Sequence, residues 1–318
     1  MMFSLRRMQI KLQKQPVRTA RAIQIESAPA VSRRQNRKIE FMTKLIAKLS
    51  ALAAGLVIAA GMSLGSASAA GFPEKKPKQQ SWSFSGPLGH WDQGQLQRGL
   101  KIYTENCASC HSLNLLSYRN LADLGYNDAQ IKAYAAEFEV TDGPNEDGEM
   151  FDRPAKPADR FKGPYANDKE AAAVNNGALP PDFSLLAKAR APERGFPTFI
   201  FDIFTMYAEN GPDYIYSLLT GYTGEQTEDG LHINPYFASG EALAMAPPLS
   251  VDNVVEYDDG TEATLEQNSK DIAAFMMWAA EPGLQQRKER GFIVMLFLLI
   301  FAGLLYFTKK KVWSDVAH

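Results

Sequence analysis

Cysteine and histidine are scarce in this 318-residue chain. There are two cysteines and four histidines, His90, His111, His232 and His318. Two cysteines exclude a disulfide-built scaffold and a four-cysteine zinc site. Four histidines leave little room for a histidine metal cage. Net charge is also slight, at −2. The 45% apolar and 22% charged composition excludes a chain that is disordered or collagen-like throughout. Length allows one large domain or two.

The near-neutral total hides segregation. Residues 1–41 hold ten Lys/Arg against Glu26 and Glu40, with weak apolar periodicity. A basic arm for nucleic acid or a membrane surface is one reading. The favoured one is an upstream leader with no function of its own. From Met42 the pattern changes: Lys44 and Lys48, then a nearly continuous small apolar stretch at Leu49–Leu64, then Ser66-Ala67-Ser68-Ala69-Ala70. A positive start, a short apolar stretch and a small-residue site predict an export signal over 42–70, cleaved near Ala69 or Ala70. An uncleaved N-terminal anchor is the competing reading.

Near the other end, Gly291–Thr308 is 18 residues without a charge. As a helix that is about 27 Å, close to the hydrocarbon thickness of a bilayer. Phe292–Phe307 shows no polar face, so a membrane helix is expected rather than a core helix. Arg287, Lys288 and Arg290 flank one side and Lys309, Lys310 and Lys311 the other, giving an anchor over 287–311 and a short tail at 312–318. The basic flanks do not orient the span. The export signal does, placing residues 71–286 outside, on the periplasmic side of a bacterial inner membrane. Between residues 70 and 286 there are sixteen Lys/Arg and thirty-two Asp/Glu, a net of −16. Such a body avoids nucleic acid and attracts basic partners.

Both cysteines fall in Cys107-Ala108-Ser109-Cys110-His111. Thiols three residues apart on one helical turn can each add to a vinyl group of haem, and the next residue offers an imidazole to the iron. In an exported chain this reads as covalent c-type haem attachment, with iron held by His111. A thioredoxin-like pair would want a strand before it. Here Gln95–Tyr103 reads as helical, with Leu96, Leu100 and Tyr103 on one stripe. Half a zinc site lacks its partners, and a structural disulfide is the last competitor.

Several residues compete for the sixth iron position. His90 lies 21 residues upstream of His111, and His232 lies in a downstream loop. Met276 and Met277 lie in Asp271–Ala280, where Ile272, Phe275, Met276 and Ala279 make a helical stripe, and Met206 lies among Phe199, Ile200, Phe201, Ile203 and Phe204, so both groups read as core. Met150 sits in an acidic loop. Met245, before Pro247-Pro248, is the favoured ligand, because two prolines fix φ and make a rigid extended loop. His/Met ligation raises the potential and suits electron transfer. Six acids, Glu139, Asp142, Glu146, Asp147, Glu149 and Asp152, read as a solvated loop, since their spacing does not match an EF-hand.

Across Trp82–His318 the chain resembles the cytochrome c1 family, the haem subunits of quinol–cytochrome c oxidoreductases. The motifs are Gln97-Arg98-Gly99 before Cys107–His111, Tyr118-Arg119, the Asp142–Phe151 run, Asn175–Asp182, Ser217–Tyr222, Asn234–Phe237, Met245-Ala246-Pro247-Pro248 and Trp278–Pro282. The resemblance implies a mainly α, class I cytochrome c-like haem domain with long loop insertions and one C-terminal transmembrane helix. It implies one covalent haem c with iron between His111 and Met245. Asn175, Pro180, Pro181 and Tyr214 match pocket residues, and Arg190 matches a propionate contact. Implied partners are cytochrome b, a Rieske iron–sulfur subunit and a basic cytochrome c acceptor, in a complex expected to be dimeric. The chain departs from the family in a longer, aromatic-rich Ala191–Asp213 stretch, in His232 where an aromatic is usual, and in having no cysteines for the extra disulfide of some members.

Overall fold

The computed structural model describes residues 74–193, 195, 197–205, 209–249 and 254–315. The basic leader, the export signal and Met206 fall outside these residues.

Helix α1, Gln93–Ile102, starts where the Asp92 carboxylate accepts from Gln95 N–H. That side chain satisfies a donor the first helical turn leaves open. The expected stripe is real: Leu96, Leu100 and Tyr103 are buried. The axis then widens into a π-turn, Tyr103–Cys107, before the cysteine motif. Such turns shift the register of the residues that follow. A 3₁₀ turn, Tyr118–Leu124, leads to helix α2, Asp128–Ala136, capped by Asn127.

The acidic segment is a hairpin rather than the expected loop. Strand β1, Glu139–Asp142, pairs antiparallel with β2, Phe151–Pro154. Arg153 ties its base. It donates to Asp142 on the opposite strand and, from Nη1, to Asp159 at 2.6 Å. One fixed cation thus serves two carboxylates at the hairpin base. Short helices α3, Asp168–Val174, and α4, Leu186–Ala189, follow. Helix α5, Thr198–Thr205, lies in the aromatic-rich stretch. A core role was expected around it, yet Phe201 is 64% exposed.

Helix α6, Asn210–Leu219, is buried along most of its length. The extended segment ahead of α1 laces across it. Lys78 N–H donates to Ser217 Oγ at 2.7 Å, and Gln80 N–H and Trp82 Nε1–H donate to Asp213 Oδ1 at 2.9 Å. Two-residue strands β3, His232–Ile233, and β4, Ala242–Leu243, pair antiparallel.

Helix α7, Leu265–Ala280, is the spine of the core, capped by Thr264 accepting from Gln267 N–H. It begins six residues before the apolar stripe read from sequence, because its first turns are mostly polar, with only Asn268 and Ser269 buried there. Met276 and Met277 are buried on it, as expected of core residues. Helix α1 crosses α7 at Gly99, where an added Cβ would stand 2.5 Å from Asp271 O and 2.5 Å from Phe275 Cβ. Beside this crossing the buried Asp271 carboxylate accepts from Arg98 Nε at 2.7 Å, Gln95 Nε2 at 3.0 Å and Gln267 Nε2 at 2.8 Å. A buried charge is tolerated when bonded this fully. The two ends of the domain are locked together there.

Glu281-Pro282-Gly283 separate α7 from helix α8, Leu284–Val312. Phe292–Phe307 stand exposed on every face but for half-buried Gly303. This 29-residue helix is long and apolar enough to span a bilayer. One flanking charge differs from expectation. Lys288 is turned inward, 5% exposed, and donates from Nζ to Phe84 O and Gly86 O at 2.6 Å each.

Candidate functional site

The Cys107–His111 segment continues the π-turn as a single tight turn. Ala108 N–H reaches back to Tyr103 O at 2.8 Å, and His111 N–H to Cys107 O at 2.9 Å. Both thiols are free and partly buried. Burial pushes the Cys107 thiol up to about 12. Among the described residues no three His, Cys, Asp or Glu side chains cluster as a metal cage.

His111 is buried and held on three sides. Its Nδ1–H donates to Pro181 O at 2.8 Å. Phe183 stacks on its ring at 4.2 Å between centroids. Tyr103 Oη–H donates to the His111 carbonyl at 3.1 Å. Burial holds the imidazole below its usual range, although the Pro181 bond and the Asp182 charge pull the other way. The ring is thus neutral, with the Nδ1 proton spent on a carbonyl and the Nε2 lone pair open to iron.

The Pro181 carbonyl is itself fixed by the next residue. Asp182 accepts from Ser112 Oγ at 2.7 Å, Asn114 N–H at 2.8 Å and Ser184 N–H at 2.8 Å. Burial alone would raise this carboxyl, but these bonds outweigh it and hold it low. Apolar Val174 and Leu179 stand exposed along the Val174–Pro181 stretch that leads to Asp182, as the wall of a haem face would. Asn175 donates to Ala171 O at 2.7 Å and Tyr165 Oη at 3.0 Å, closing the turn that starts this wall. Pro180 is half-buried.

A second group carries Met245. Its carbonyl accepts from Tyr222 Oη–H at 3.1 Å. Strand β4 ends two residues before it, and Leu249, buried, fixes the loop after the two prolines. His232, the imidazole rival, lies on β3 opposite Leu243 and meets the Tyr222 ring edge-on at 6.3 Å. It belongs to the frame under the methionine loop. Arg190 and Tyr214 come together at the turn between β3 and β4. Arg190 Nη1 donates to Ser239 Oγ at 3.0 Å, and Tyr214 Oη accepts from Ala238 N–H at 3.3 Å. The other imidazole candidate, His90, lies in a cleft with Trp91, Asp92, Asp123 and Gln285 near the start of α8.

These features fit a covalently held haem: two free thiols on one turn, a neutral oriented imidazole after them, and an apolar wall. The sequence matches the Cytochrome C1 family over residues 82–316. The chain belongs to the cytochrome c1 family. It is 41% identical to the cytochrome c1 of Rhodospirillum rubrum, over 86% of this chain and 99% of that protein. Identity to the cytochrome c1 of Blastochloris viridis is 43%, over 83% of this chain and 95% of that one. It is 50% identical, over 84% of its length, to a protein named cytochrome b/c1 from Bradyrhizobium diazoefficiens, and matches 40% of that longer relative. As a cytochrome c1, the chain carries one covalently bound haem c and serves electron transport as a subunit of a bc1 complex.

Three features of the site escaped sequence reading. Pro181 acts through its carbonyl, which no residue type announces. Phe183 and Tyr222 orient the two candidate ligands. Their only sequence signal was an aromatic beside a pocket motif.

Proposed function

We propose that Cys107 and Cys110 bind the haem by thioethers, that His111 and Met245 are its axial ligands, and that Asn175, Pro180, Pro181, Arg190 and Tyr214 line its pocket. The observation that carries this reading is the His111 Nδ1–H bond to Pro181 O, which leaves Nε2 alone to face a metal. When bound, the haem supplies a one-electron iron couple. The chain's part is to hold a neutral imidazole and a thioether, donors that favour the reduced iron and raise the potential. Prolines keep the wall dry. The Arg190 guanidinium offers a permanent cation to a propionate. No side chain is asked to move a proton on a substrate. The chain is thus the electron-transfer subunit of a quinol–cytochrome c reductase, without the quinol site.

In this reading the haem domain takes single electrons from a Rieske iron–sulfur subunit and passes them to a basic c-type cytochrome. The net charge of −16 over 70–286 supports a basic acceptor. Cytochrome b as a partner is supported by the relative whose name joins b and c1. The complex is dimeric, and the domain faces the periplasm of a bacterium, with the export signal removed and α8 as the single anchor.

Met245→Leu tests the ligand set. The potential should fall by on the order of hundreds of millivolts, and added cyanide or imidazole should begin to bind. An unchanged spectrum and potential would show that another residue holds the sixth position. Purification in mild detergent tests the assembly: cytochrome b and an iron–sulfur protein should accompany the chain, and a solitary haem protein would count against it.

A further inference from the structure

The loop Ser85–Gly89 sits beside the start of the membrane helix and presents one apolar side chain. Leu88 is 85% exposed, the most open large apolar side chain among the described residues. An isolated exposed leucine needs no explanation by itself. Its placement supplies one. The loop is closed on itself by Ser85 N–H to Trp82 O at 3.1 Å and His90 N–H to Ser83 O at 3.0 Å. Its root is the buried Phe84. Gly89 fits so closely that a Cβ there would stand 2.3 Å from Phe84 O. The loop is therefore a fixed shape.

Two side chains one turn apart on α8 fix that shape to the membrane helix. Gln285 Oε1 accepts from Trp91 N–H at 3.3 Å, and Lys288 Nζ donates to Phe84 O and Gly86 O at 2.6 Å. Lys288 precedes Phe292, the first residue of the exposed apolar run, by four positions, about 6 Å of helix. The polar layer on each side of a bilayer is roughly 5–8 Å thick, from the difference between total and hydrocarbon thickness. Leu88 is two residues past Gly86, a reach of about 7 Å at most. Residues 83–89 carry no charge, so bringing them to lipid strips no ion of water. Arg290 is exposed at the same level and suits a lipid phosphate, while Arg287 is paired with Glu281.

We propose that this loop is a second, peripheral contact with the lipid surface, with the Leu88 side chain seated in the headgroup layer beside α8. The chain would then be anchored at two points, a span and a fixed apolar peg. The continuity of the loop with the exposed span argues for lipid rather than a protein as the occupant. Insertion of single apolar side chains to this depth is what interfacial segments do.

The test uses the full-length holoprotein in phosphatidylcholine vesicles. With both native cysteines bound to haem, Leu88→Cys provides one thiol for a nitroxide label, and labelling of the parent protein gives the blank. Collision of the label with oxygen, which concentrates in lipid, is compared with collision with a water-soluble nickel chelate. Leu299→Cys, at mid-span, and Asp147→Cys, exposed on the hairpin, give the lipid and water references. The oxygen-to-nickel ratio at position 88 is expected to lie between the two references, several-fold above that at 147. A ratio equal to that at 147 would overturn the contact. So would a label shielded from both reagents, which would mean that protein covers the loop. A water-like ratio at 299 would overturn the anchor and the loop contact together.

Discussion

His111 Nδ1 lies 2.8 Å from the carbonyl oxygen of Pro181, and the same ring stacks on Phe183 at 4.2 Å. One contact sets the tautomer and the other the tilt of the imidazole plane. Phe183→Ala removes the second while leaving the first. We expect a loss of about 3 kcal/mol in stability, the low end for a buried phenylalanine. Denaturant unfolding measures it. The midpoint potential should shift as well, a change that simple core loosening elsewhere would not produce.

Tyr222 grips the methionine loop through the Met245 carbonyl at 3.1 Å. Tyr222→Phe deletes that bond with little change in volume. The expected cost is about 1 kcal/mol. The more telling readout is the rate at which cyanide displaces the methionine, which should rise because the loop opens more often. An unaltered rate would show that the prolines alone fix the loop.

Gly99 is where α1 touches α7 most closely. Gly99→Ala gains up to about 1 kcal/mol of helix propensity. It also drives a methyl group against the Asp271 carbonyl and Phe275 Cβ, each 2.5 Å away. Overpacking of this kind costs about 1–3 kcal/mol, and backbone cannot yield as a flexible side chain can. Net destabilisation in urea or thermal unfolding is expected.

The Arg153 cluster predicts acid sensitivity of the hairpin. Hydrogen bonds from Arg153 and from Lys156 N–H hold the Asp159 carboxyl down to about 2. A folded value below the unfolded one gives stability that is present above pH 4 or so and is lost as pH falls toward 2. Comparing the parent with Asp159→Asn across this range should show a stability gap that narrows steadily on acidification. The group is near the surface, so high salt should shrink the gap throughout.

Acidity of the domain predicts kinetics. Electron transfer to a basic cytochrome should slow as ionic strength rises, because steering by opposite charge is screened over about 10 Å at 0.1 M salt. A rate that is flat with salt in stopped-flow mixing would remove charge from the account of partner choice.

Much of this was legible in the chain. Cys107-Ala108-Ser109-Cys110-His111 carries its chemistry in residue type and spacing. The stripe Leu96, Leu100, Tyr103 and the one on α7 follow from helical periodicity, and α8 from length and hydropathy. What stayed hidden depends on partners distant in sequence. The Pro181 carbonyl meets a histidine 70 residues away. Lys288 looked like one more basic flank, and only the fold shows it satisfying carbonyls about 200 residues upstream. The acidic run looked like a loop, because only the fold shows a single Arg153 at its far end tying its base. His232 read as a loop imidazole, because sequence does not say that its strand pairs with the one leading into the methionine loop.

The joint between α7 and α8 is only Glu281-Pro282-Gly283, and Lys288 bolts the upstream loop across it. There is no slack in which the head could swivel. Turning the anchor about its axis would carry the Phe84–Gly86 segment with it, because Lys288 on the anchor holds both of those carbonyls.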